Sequence, residues 1–397
     1  MTLRRFDAAE RRARLALRHR HVPQERTDDV VAITDGLVAL HSTDPVSVYL
    51  SVAARMRTPD LAPLEHALFG ERALLRHHAM RRTLWVLGHD TARLAHHAAT
   101  LGLVPAQRRA LLAMLEAGGV AAPERWLADA AVAVDELLVA SGPLTAREIG
   151  AALPELARPV PVGGGAYATT QGAHSRVLLQ LGFEGRVLRA RPTGTWINGQ
   201  YRWASTREWF PGGFGELDTR AAAAGLAARW LRAYGPATRA DLQWWAGWTA
   251  ATTKRALLDV GAVAVEVEEG DGRFVEGRAL PDDLGPTPDA PPSARLLPGL
   301  DPSTMGWKQR AFHLDPAHVP LLFDRNGNGG PCLWVDGRIV GSWVQRADGR
   351  IAMRLLEDVG EAARAELERH AGELEELLGD VRFSVRFPAP VQAALLA

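Results

Sequence analysis

The sequence predicts an α+β protein in which repeated helical units, each closed by a β hairpin, precede a C-terminal α+β domain with further hairpins. Two observations support this fold class: a sequence pattern that returns after 93 residues, and a change of composition after Pro281. At 397 residues, the chain is long enough for two or three domains with a sizeable core. Its 47% hydrophobic and 23% charged residues are ordinary for a globular protein.

The repeat begins with Ser141-Gly-Pro-Leu-Thr-Ala-Arg-Glu-Ile149 and returns as Tyr234-Gly-Pro-Ala-Thr-Arg-Ala-Asp-Leu242. In each copy Gly-Pro ends one helix, and Thr145 or Thr238 caps the next with an acidic residue three positions later. A further amphipathic helix and two β-like runs around a turn follow in both copies. Helix, short helix, third helix and hairpin is the order of a winged helix, which is a helix-turn-helix with a β wing.

The expected positions of these elements differ in detail between the copies. The first copy should have a helix at 170–181 and strands at 186–191 and 197–203, and the second a helix at 250–260 and strands at 263–267 and 273–276. The first hundred residues resemble a looser third copy, with helices at 7–20, 28–40 and 46–56 and a hairpin within 73–87. The predicted boundaries are therefore 1–125, 126–212 and 213–290 for three winged-helix domains, and 291–397 for the C-terminal domain.

The C-terminal domain begins after a proline-rich linker at 281–292. The run 333–344 alternates apolar residues around Asp336-Gly337, a dipeptide that favours a type I′ hairpin turn. A second turn is expected at 347–350, an acidic helix within 356–380 and a closing strand at 381–387.

Charge and cysteine content limit the class of protein. Lys and Arg together equal Asp and Glu at 46 each, but nine carboxylates against two arginines in 356–380 leave the rest of the chain net basic. A neutral total can therefore hide a basic face. Cys332 is the only cysteine, which excludes an internal disulfide and a multi-thiolate zinc site. With no apolar span or signal peptide in sight, we expect a cytoplasmic protein.

The segment Leu40-His-Ser-Thr-Asp-Pro-Val-Ser-Val-Tyr49 carries the most unusual chemistry. Thr43 or Asp44 can cap a helix that has Pro45 at its first position. The free N–H groups of a helix N-terminus suit an anionic or polar ligand, and His41 and Thr43 would lie beside it. The alternative is structural: Asp44 caps the helix, and His41 packs with a satisfied hydrogen bond.

Other candidates have equally plain alternatives. The pairs His77-His78 and His96-His97 cannot chelate one ion well, so we expect surface or interface histidines and no metal site. Trp244, Trp245 and Trp248 favour a core over a base-stacking platform. Cations on the predicted groove-facing helices or in the C-terminal loops could contact phosphate, or could be solvated or paired within tight turns: Arg176, Lys254, Arg255, Lys308, Arg310 and Arg325.

Several phrases, in this order along nearly the whole chain, resemble bacterial winged-helix DNA-binding proteins of the AlkZ/YcaQ-like superfamily: Leu37-Val-Ala-Leu-His-Ser-Thr-Asp-Pro45, Met80-Arg-Arg-Thr-Leu-Trp85, Leu296-Leu-Pro298 with Asp301, Gly306-Trp-Lys308, Asp324-Arg-Asn-Gly-Asn328 and Gly341-Ser-Trp343. The resemblance implies tandem winged helices in a C-shaped arrangement around a DNA channel, with a C-terminal β-rich domain. It also implies a DNA glycosylase that removes bulky alkylated purines or opens interstrand crosslinks, in DNA repair or genotoxin resistance.

The resemblance breaks at the catalytic positions, where such glycosylases carry Gln, one residue, then Gln or Asp. This chain has His41, Ser42 and Thr43. His41 could serve as base or orienter, Thr43 could hold the attacking water and Asp44 could oppose the positive charge of the sugar. The expected DNA contacts are Arg81, Arg82, Arg176, Lys254, Arg255, Lys308, Arg310, Arg325, Asn326, Asn328, Trp343 and Gln345.

Three hypotheses follow. The first is a cofactor-free, metal-free, monofunctional glycosylase, since only Lys254 and Lys308 could form a Schiff base and neither stands near the proposed site. The second is a non-catalytic DNA-binding regulator or damage-binding shield, and the third an interaction protein that has lost DNA binding. The expected partner is double-stranded DNA, possibly alkylated, bound by a monomer without a membrane or an obligate protein partner.

Overall fold

The computed structural model describes residues 3–163 and 169–396. The chain opens with strand β1 (Arg5–Phe6) and helix α1 (Ala8–Arg18), which Asp7 caps. The first repeated unit then follows in the order helix, strand, helix, helix, hairpin: α2 (Val30–Gly36), β2 (Leu40–His41), α3 (Pro45–Ala53), α4 (Ala62–Phe69), β3 (Leu74–His78) and β4 (Leu84–Gly88). These strands form a sheet in the order β2-β4-β3.

The second unit repeats this order. After α5 (His89–Ala95) and α6 (Val104–Ala117) come α7 (Pro123–Ser141), α8 (Ala146–Ala152), β5 (Pro159–Val162), β6 (Thr169–Gly172), α9 (Ala173–Phe183), β7 (Val187–Pro192), β8 (Tyr201–Ser205) and α10 (Thr206–Trp209). Leu144 forms a single bridge to Trp203, at the place that β2 takes in the first unit.

The third unit has the same arrangement: α11 (Thr219–Tyr234), α12 (Arg239–Ala246), α13 (Ala250–Asp259), β9 (Val263–Glu268) and β10 (Phe274–Ala279). Here Ala237 bridges to Arg278. Both predicted capping boxes are present, at Thr145 with Glu148 and at Thr238 with Asp241. Local hydrogen bonding therefore starts α8 and α12 in the same way.

The structure changes several predicted details. The hairpin β5–β6 was not expected, and β8 begins at Tyr201 rather than at Ile197. β1 pairs in parallel with β9, so the start of the chain completes the sheet of the third unit. Leu111 and Leu115 of α6 pack in the core of the second unit, although the sequence placed them in the first.

The C-terminal domain contains β11 (Ala294–Leu297), α14 (Pro302–Met305), α15 (Val319–Leu322), β12 (Cys332–Val335), β13 (Arg338–Gln345), β14 (Ile351–Leu355), α16 (Gly360–Leu378) and α17 (Pro390–Leu396). Its sheet has the order β11-β12-β13-β14. The predicted type I′ turn is confirmed, since Asp336 and Gly337 have φ values of 46° and 85°. The predicted strand at 381–387 is wrong: the Gln345 side chain bonds that segment in place of a backbone ladder.

A large apolar cluster, from Ala8 to Val391, runs through the first unit, the β7–β8 hairpin of the second unit, the third unit and the C-terminal domain. Every residue of α3 is buried. Just beyond α3, Arg55 forms a bidentate ion pair with Asp301, and both side chains are 0% exposed. These contacts fix α3, and with it the segment that precedes it, against the C-terminal domain.

Candidate active site

The segment between β2 and α3 is held by backbone contacts on both sides. His41 lies opposite Trp85 in the β2–β4 ladder, and the N–H of Ser42 donates to the carbonyl of Leu84 at 2.7 Å. Asp44 is the N-cap of α3, because its Oδ1 accepts from the N–H of Val46 at 3.1 Å. The bend therefore brings His41, Thr43 and Asp44 to the N-terminus of a buried helix.

His41 is buried, and its ring centroid lies 4.7 Å from that of Trp85. Its Nδ1 has no hydrogen-bond partner among the described residues. Burial, and secondarily the charge of Arg81, lowers the pKa of His41 to about 3. The imidazole is thus neutral near pH 7: it is a weak base, but its free nitrogen can still accept or donate one hydrogen bond.

Thr43 and Asp44 are half-buried and complete the polar rim of this bend. Thr43 Oγ1 and the buried Ser47 Oγ, one turn into α3, both lack hydrogen-bond partners among the described residues. Burial raises the pKa of the Asp44 carboxyl, while its bond with the Val46 N–H opposes that shift. Such atoms also occur elsewhere among the described residues, but here three of them lie around one helix N-terminus, where a water or a polar ligand could bond them.

Arg76 of β3 holds the bend in place through a buried contact with Ser42. The sequence did not identify Arg76 as a site residue. The side chain is 2% exposed, its Nε donates to Ser42 Oγ at 2.8 Å and its guanidinium lies 4.4 Å from the Tyr201 ring centroid. It thereby fixes the residue between His41 and Thr43. The sequence signal that could have identified Arg76 is its position directly after two apolar residues in the predicted hairpin, where a buried arginine needs a polar partner.

Arg81 and Arg82 form the turn between β3 and β4, and both have left-handed backbones with φ of 53° and 62°. Arg82 is exposed, whereas the Arg81 guanidinium lies 4.3 Å from the ring centroid of Trp244 and 5.7 Å from that of Trp85. The turn therefore leans on α12 of the third unit. The prediction that Trp244 belongs only to the core is incomplete, since this indole is half-buried while Trp245 is fully enclosed.

Lys308 and Arg310 reach α12 from the C-terminal domain. The backbone N–H groups of Lys308 and Gln309 donate to Asp241 Oδ1 at 3.0 and 2.8 Å, which docks the segment on the N-terminus of α12. The Lys308 side chain is exposed. The Arg310 guanidinium lies 5.0 Å from the Trp244 ring centroid, so Arg81 and Arg310 meet on the same indole.

The remaining predicted contacts are dispersed. Lys254 and Arg255 are exposed on α13, with Arg255 paired to Asp259 at 3.2 Å, and Arg176 is half-buried on α9. Arg325 and Asn326 are exposed on a turn, in which the Asn328 amide donates to Asp324 Oδ2 at 2.9 Å. The Asn328 side chain therefore bonds within a tight turn, which is the alternative to a DNA contact that the sequence left open.

Trp343 and Gln345 do not face solvent, which corrects their expected availability to DNA. They are 1% and 6% exposed, and the Trp343 indole N–H donates to the carbonyl of Leu297 at 2.9 Å. The Gln345 amide donates to the carbonyl of Val381 and accepts from the N–H of Phe383. Both side chains hold the C-terminal domain together.

The histidine pairs also differ from expectation. His77, His96 and His97 are buried, which excludes the surface alternative for these three and leaves the interface alternative open, and His77 Nε2 lies 3.1 Å from His96 Nδ1. Among the described residues, one group has metal-ligand atoms within 4.8 Å of one another: Asp315, His318 and Glu357. Glu357 also forms an ion pair with Arg338, which competes for the carboxylate.

The family model described as DNA glycosylase AlkZ-like matches residues 34–377. The chain belongs to this family. Its predicted enzyme class, DNA glycosylase, is thereby confirmed, and DNA is the substrate. A solved structure of Streptomyces sahachiroi DNA glycosylase AlkZ is similar in fold, with a TM-score of 0.70 and 20% identity over 94% of this chain and 98% of that one.

A comparison with curated protein sequences found no match to this AlkZ-like chain. The α+β class is confirmed by the observed elements and by the structural neighbour. Within the described ranges, no helix is long and apolar enough to span a bilayer.

Proposed function

We propose that this AlkZ-like DNA glycosylase is monofunctional and hydrolyses the N-glycosidic bond of bulky N-alkylated purines in double-stranded DNA. The observation that carries the proposal is the set of unpartnered polar atoms at the N-terminus of α3, namely His41 Nδ1, Thr43 Oγ1 and Ser47 Oγ. Of these, His41 and Thr43 stand at the positions where the resemblance implies that family glycosylases carry their water-positioning residues. The biological role would be DNA repair or self-resistance to a genotoxin.

An N7-alkylated purine needs little acid catalysis, because it is already positively charged and leaves as a neutral base. The protein must orient a water molecule and stabilise an oxocarbenium-like sugar. In the step proposed here, water oxygen attacks the anomeric carbon as the bond to the base breaks, and that bonding pair leaves with the base. An abasic site and the free base are the products.

The neutral His41 and the charged Asp44 have different roles in the proposed reaction. His41, neutral near pH 7, orients the water through Nδ1, and Thr43 Oγ1 holds it from the other side. The carboxylate of Asp44 opposes the developing positive charge and accepts the proton of the water. Its raised pKa makes Asp44 a better acceptor than an ordinary carboxylate, and better than His41 with a pKa of about 3.

Two structural facts support the rest of the proposal. Lys254 lies on α13 and Lys308 on the segment docked against α12, so neither lies in the bend where a Schiff base with the sugar would form. The first unit, the third unit and the C-terminal domain share one core within a single chain. The shared core supports a monomer, and we propose that duplex DNA lies in the channel of the predicted C-shaped arrangement; the cytoplasmic location stays a proposal.

Base release tests this assignment directly. In duplexes carrying N7-methylguanine or a bulkier N7 adduct, we expect release of the base, read as strand cleavage after mild alkali. His41→Ala should reduce release at least 100-fold, since the water loses its orienting partner, while DNA binding stays within a few-fold. His66→Ala, which alters an exposed histidine on α4, is the matched control. Retained release in His41→Ala would refute the role of His41.

A second candidate is a non-catalytic DNA-binding regulator or damage-binding shield. It is favoured by one observation: His41 and Thr43 occupy positions where family glycosylases carry Gln and Gln or Asp. This candidate predicts tight, salt-dependent binding with no abasic product at any enzyme excess.

A further inference from the structure

Two arginines from distant parts of the chain rest on one tryptophan. Arg81 comes from the hairpin turn of the first unit, and Arg310 from the C-terminal segment that docks on α12. Their guanidinium carbons lie 4.3 and 5.0 Å from the ring centroid of Trp244. Each cation gains from the aromatic ring, and Arg310 also lies 4.7 Å from the ring centroid of Phe323.

Neither guanidinium forms an ion pair among the described residues, although Arg310 Nε donates to the carbonyl of Thr304 at 3.0 Å and the charge of Asp241 acts on Arg310. Arg186, by contrast, is paired with Asp135 at 2.6 Å, although the buried Arg76 and the half-buried Arg189 also lack an ion pair among the described residues. Arg81 Nε and Nη2 are buried without any hydrogen-bond partner among those residues. Burial lowers the pKa of both arginines to about 10, which leaves both charged near pH 7. Burying two cations side by side is costly unless an anion joins them.

Arg81 has a backbone conformation that non-glycine residues disfavour. Arg81 and Arg82 are consecutive non-glycine residues in the left-handed region, an arrangement that persists only where the surroundings enforce it. One such constraint is Gly247, which ends α12 with φ of 72°: a Cβ there would come within 3.1 Å of the Arg81 backbone nitrogen. Strain of this kind concentrates at functional sites.

The pair adjoins the proposed catalytic bend, because Arg81 and His41 both contact Trp85. We propose that Arg81 and Arg310 clamp a single backbone phosphate of the DNA strand whose nucleotide enters the site at His41, with Trp244 as the rigid support. Guanidinium forks match phosphate oxygens, and a phosphate supplies the missing anion. The inference rests on the proposed function for the placement of the nucleotide at His41, and on family membership for DNA as the ligand.

The salt dependence of binding distinguishes one shared phosphate from two separate ones. The slope of log Kd against log salt counts the phosphates that the protein neutralises, at about 0.9 per phosphate. Binding of a duplex with a tetrahydrofuran abasic analogue is measured for wild type, Arg81→Gln, Arg310→Gln and the double variant. We expect each single variant to weaken binding roughly 10-fold, and the double variant to lower the slope by about 1. A fall of about 2 would mean two separate phosphates and would overturn the clamp.

The control is Arg364→Gln, an exposed arginine on the acidic helix α16, which should leave the slope unchanged. A scan on the DNA side does not depend on the folding of any variant. In wild type, neutralising one phosphate near the analogue as a methylphosphonate should weaken binding about as much as the double variant does. The double variant should be insensitive at that same position.

The scan also separates the two proposals. If no single methylphosphonate weakens binding, or if Arg81 and Arg310 map to different positions, the clamp is wrong even when base release is observed. If the shared position is found but no base is released from N7-methylguanine, the clamp stands and the glycosylase mechanism fails. Loss of binding on adding inorganic phosphate, with no sensitive position in the DNA, would indicate a site for the free ion and would also reject the clamp.

Discussion

The charge of Arg55 is neutralised inside the protein, whereas those of Arg81 and Arg310 are not. Arg55 donates to both oxygens of Asp301 at 2.8 Å, and Ser51 and Ser303 complete the network. Arg81 and Arg310 rest on Trp244 without an ion pair within the described ranges. The Arg55–Asp301 ion pair is satisfied within the fold, whereas the proposed clamp supplies Arg81 and Arg310 with an anion from the ligand.

Replacing Asp301 should therefore be severe. Asp301→Ala leaves Arg55 buried and unpaired, and we expect the free energy of unfolding to fall by about 3–5 kcal/mol. Urea denaturation followed by tryptophan fluorescence measures this loss. Arg125→Ala, which removes an exposed pair with Asp129 at 3.8 Å, should change it by less than about 1 kcal/mol. Equal effects of the two variants would contradict the role given to the Arg55–Asp301 pair.

The helix α12 links three parts of the molecule. Its N-terminus receives the Lys308–Gln309 backbone, its middle carries Trp244 and its C-terminus meets the β3–β4 turn at Gly247. A capping box and a left-handed glycine set the two ends of this helix, so small changes at either end should move the cationic pair.

Gly247→Ala tests that link. The alanine meets both the left-handed φ and the Arg81 backbone, so we expect a loss of about 1–3 kcal/mol in unfolding free energy together with weaker DNA binding. Gly261→Ala is the matched control, because Gly261 has φ of 70° but nothing within 4 Å of its Cβ position. The two variants should differ in DNA affinity; equal affinities would show that the turn contact does not position Arg81.

Predictions that depend on residues close in sequence were mostly confirmed, whereas predictions that depend on contacts between distant residues were the ones that failed. The capping boxes at Thr145 and Thr238 and the Asp336-Gly337 turn depend on neighbours in sequence, and all three formed. The run 381–387 has a strand-like alternation, yet the backbone partner it needed was replaced by the Gln345 side chain. The meeting of Arg81 with Arg310, 229 positions apart, has no local signature.

Across the whole molecule, buried neutral histidines are a common feature. Burial lowers the pKa of His19, His41, His78 and His96 to about 3, and that of His21, His77 and His313 well below the ordinary value of 6.5. Between about pH 6.5 and 3 the unfolded chain binds protons at His19, His41, His78 and His96 while the folded chain does not, and the other three histidines shift in the same direction. Stability is therefore complete above pH 6.5 and is lost as the pH falls through this window.

The expected acid sensitivity is strong. Each such histidine costs about 1.4 kcal/mol per pH unit below its ordinary pKa, so several together exhaust a typical stability of about 5–15 kcal/mol within a few pH units. Circular dichroism between pH 7.5 and 4 should show unfolding well before pH 4. His313→Phe, at a buried ring whose nitrogens lack partners among the described residues, should lower the midpoint pH, and His66→Phe should not. A protein still folded at pH 4 would contradict this account.

The parallel pairing of β1 with β9 joins two strands that are synthesised far apart in time, and so limits when this sheet can form. Arg5 is polymerised about 260 peptide bonds before its partner Glu266. At translation rates of roughly 5–20 residues per second, the first strand waits on the order of tens of seconds for the edge it completes. Phe6, fully buried in the finished sheet, is exposed throughout that interval. The sheet of the third unit can therefore be completed only after the two preceding units have been synthesised, and it then covers Phe6.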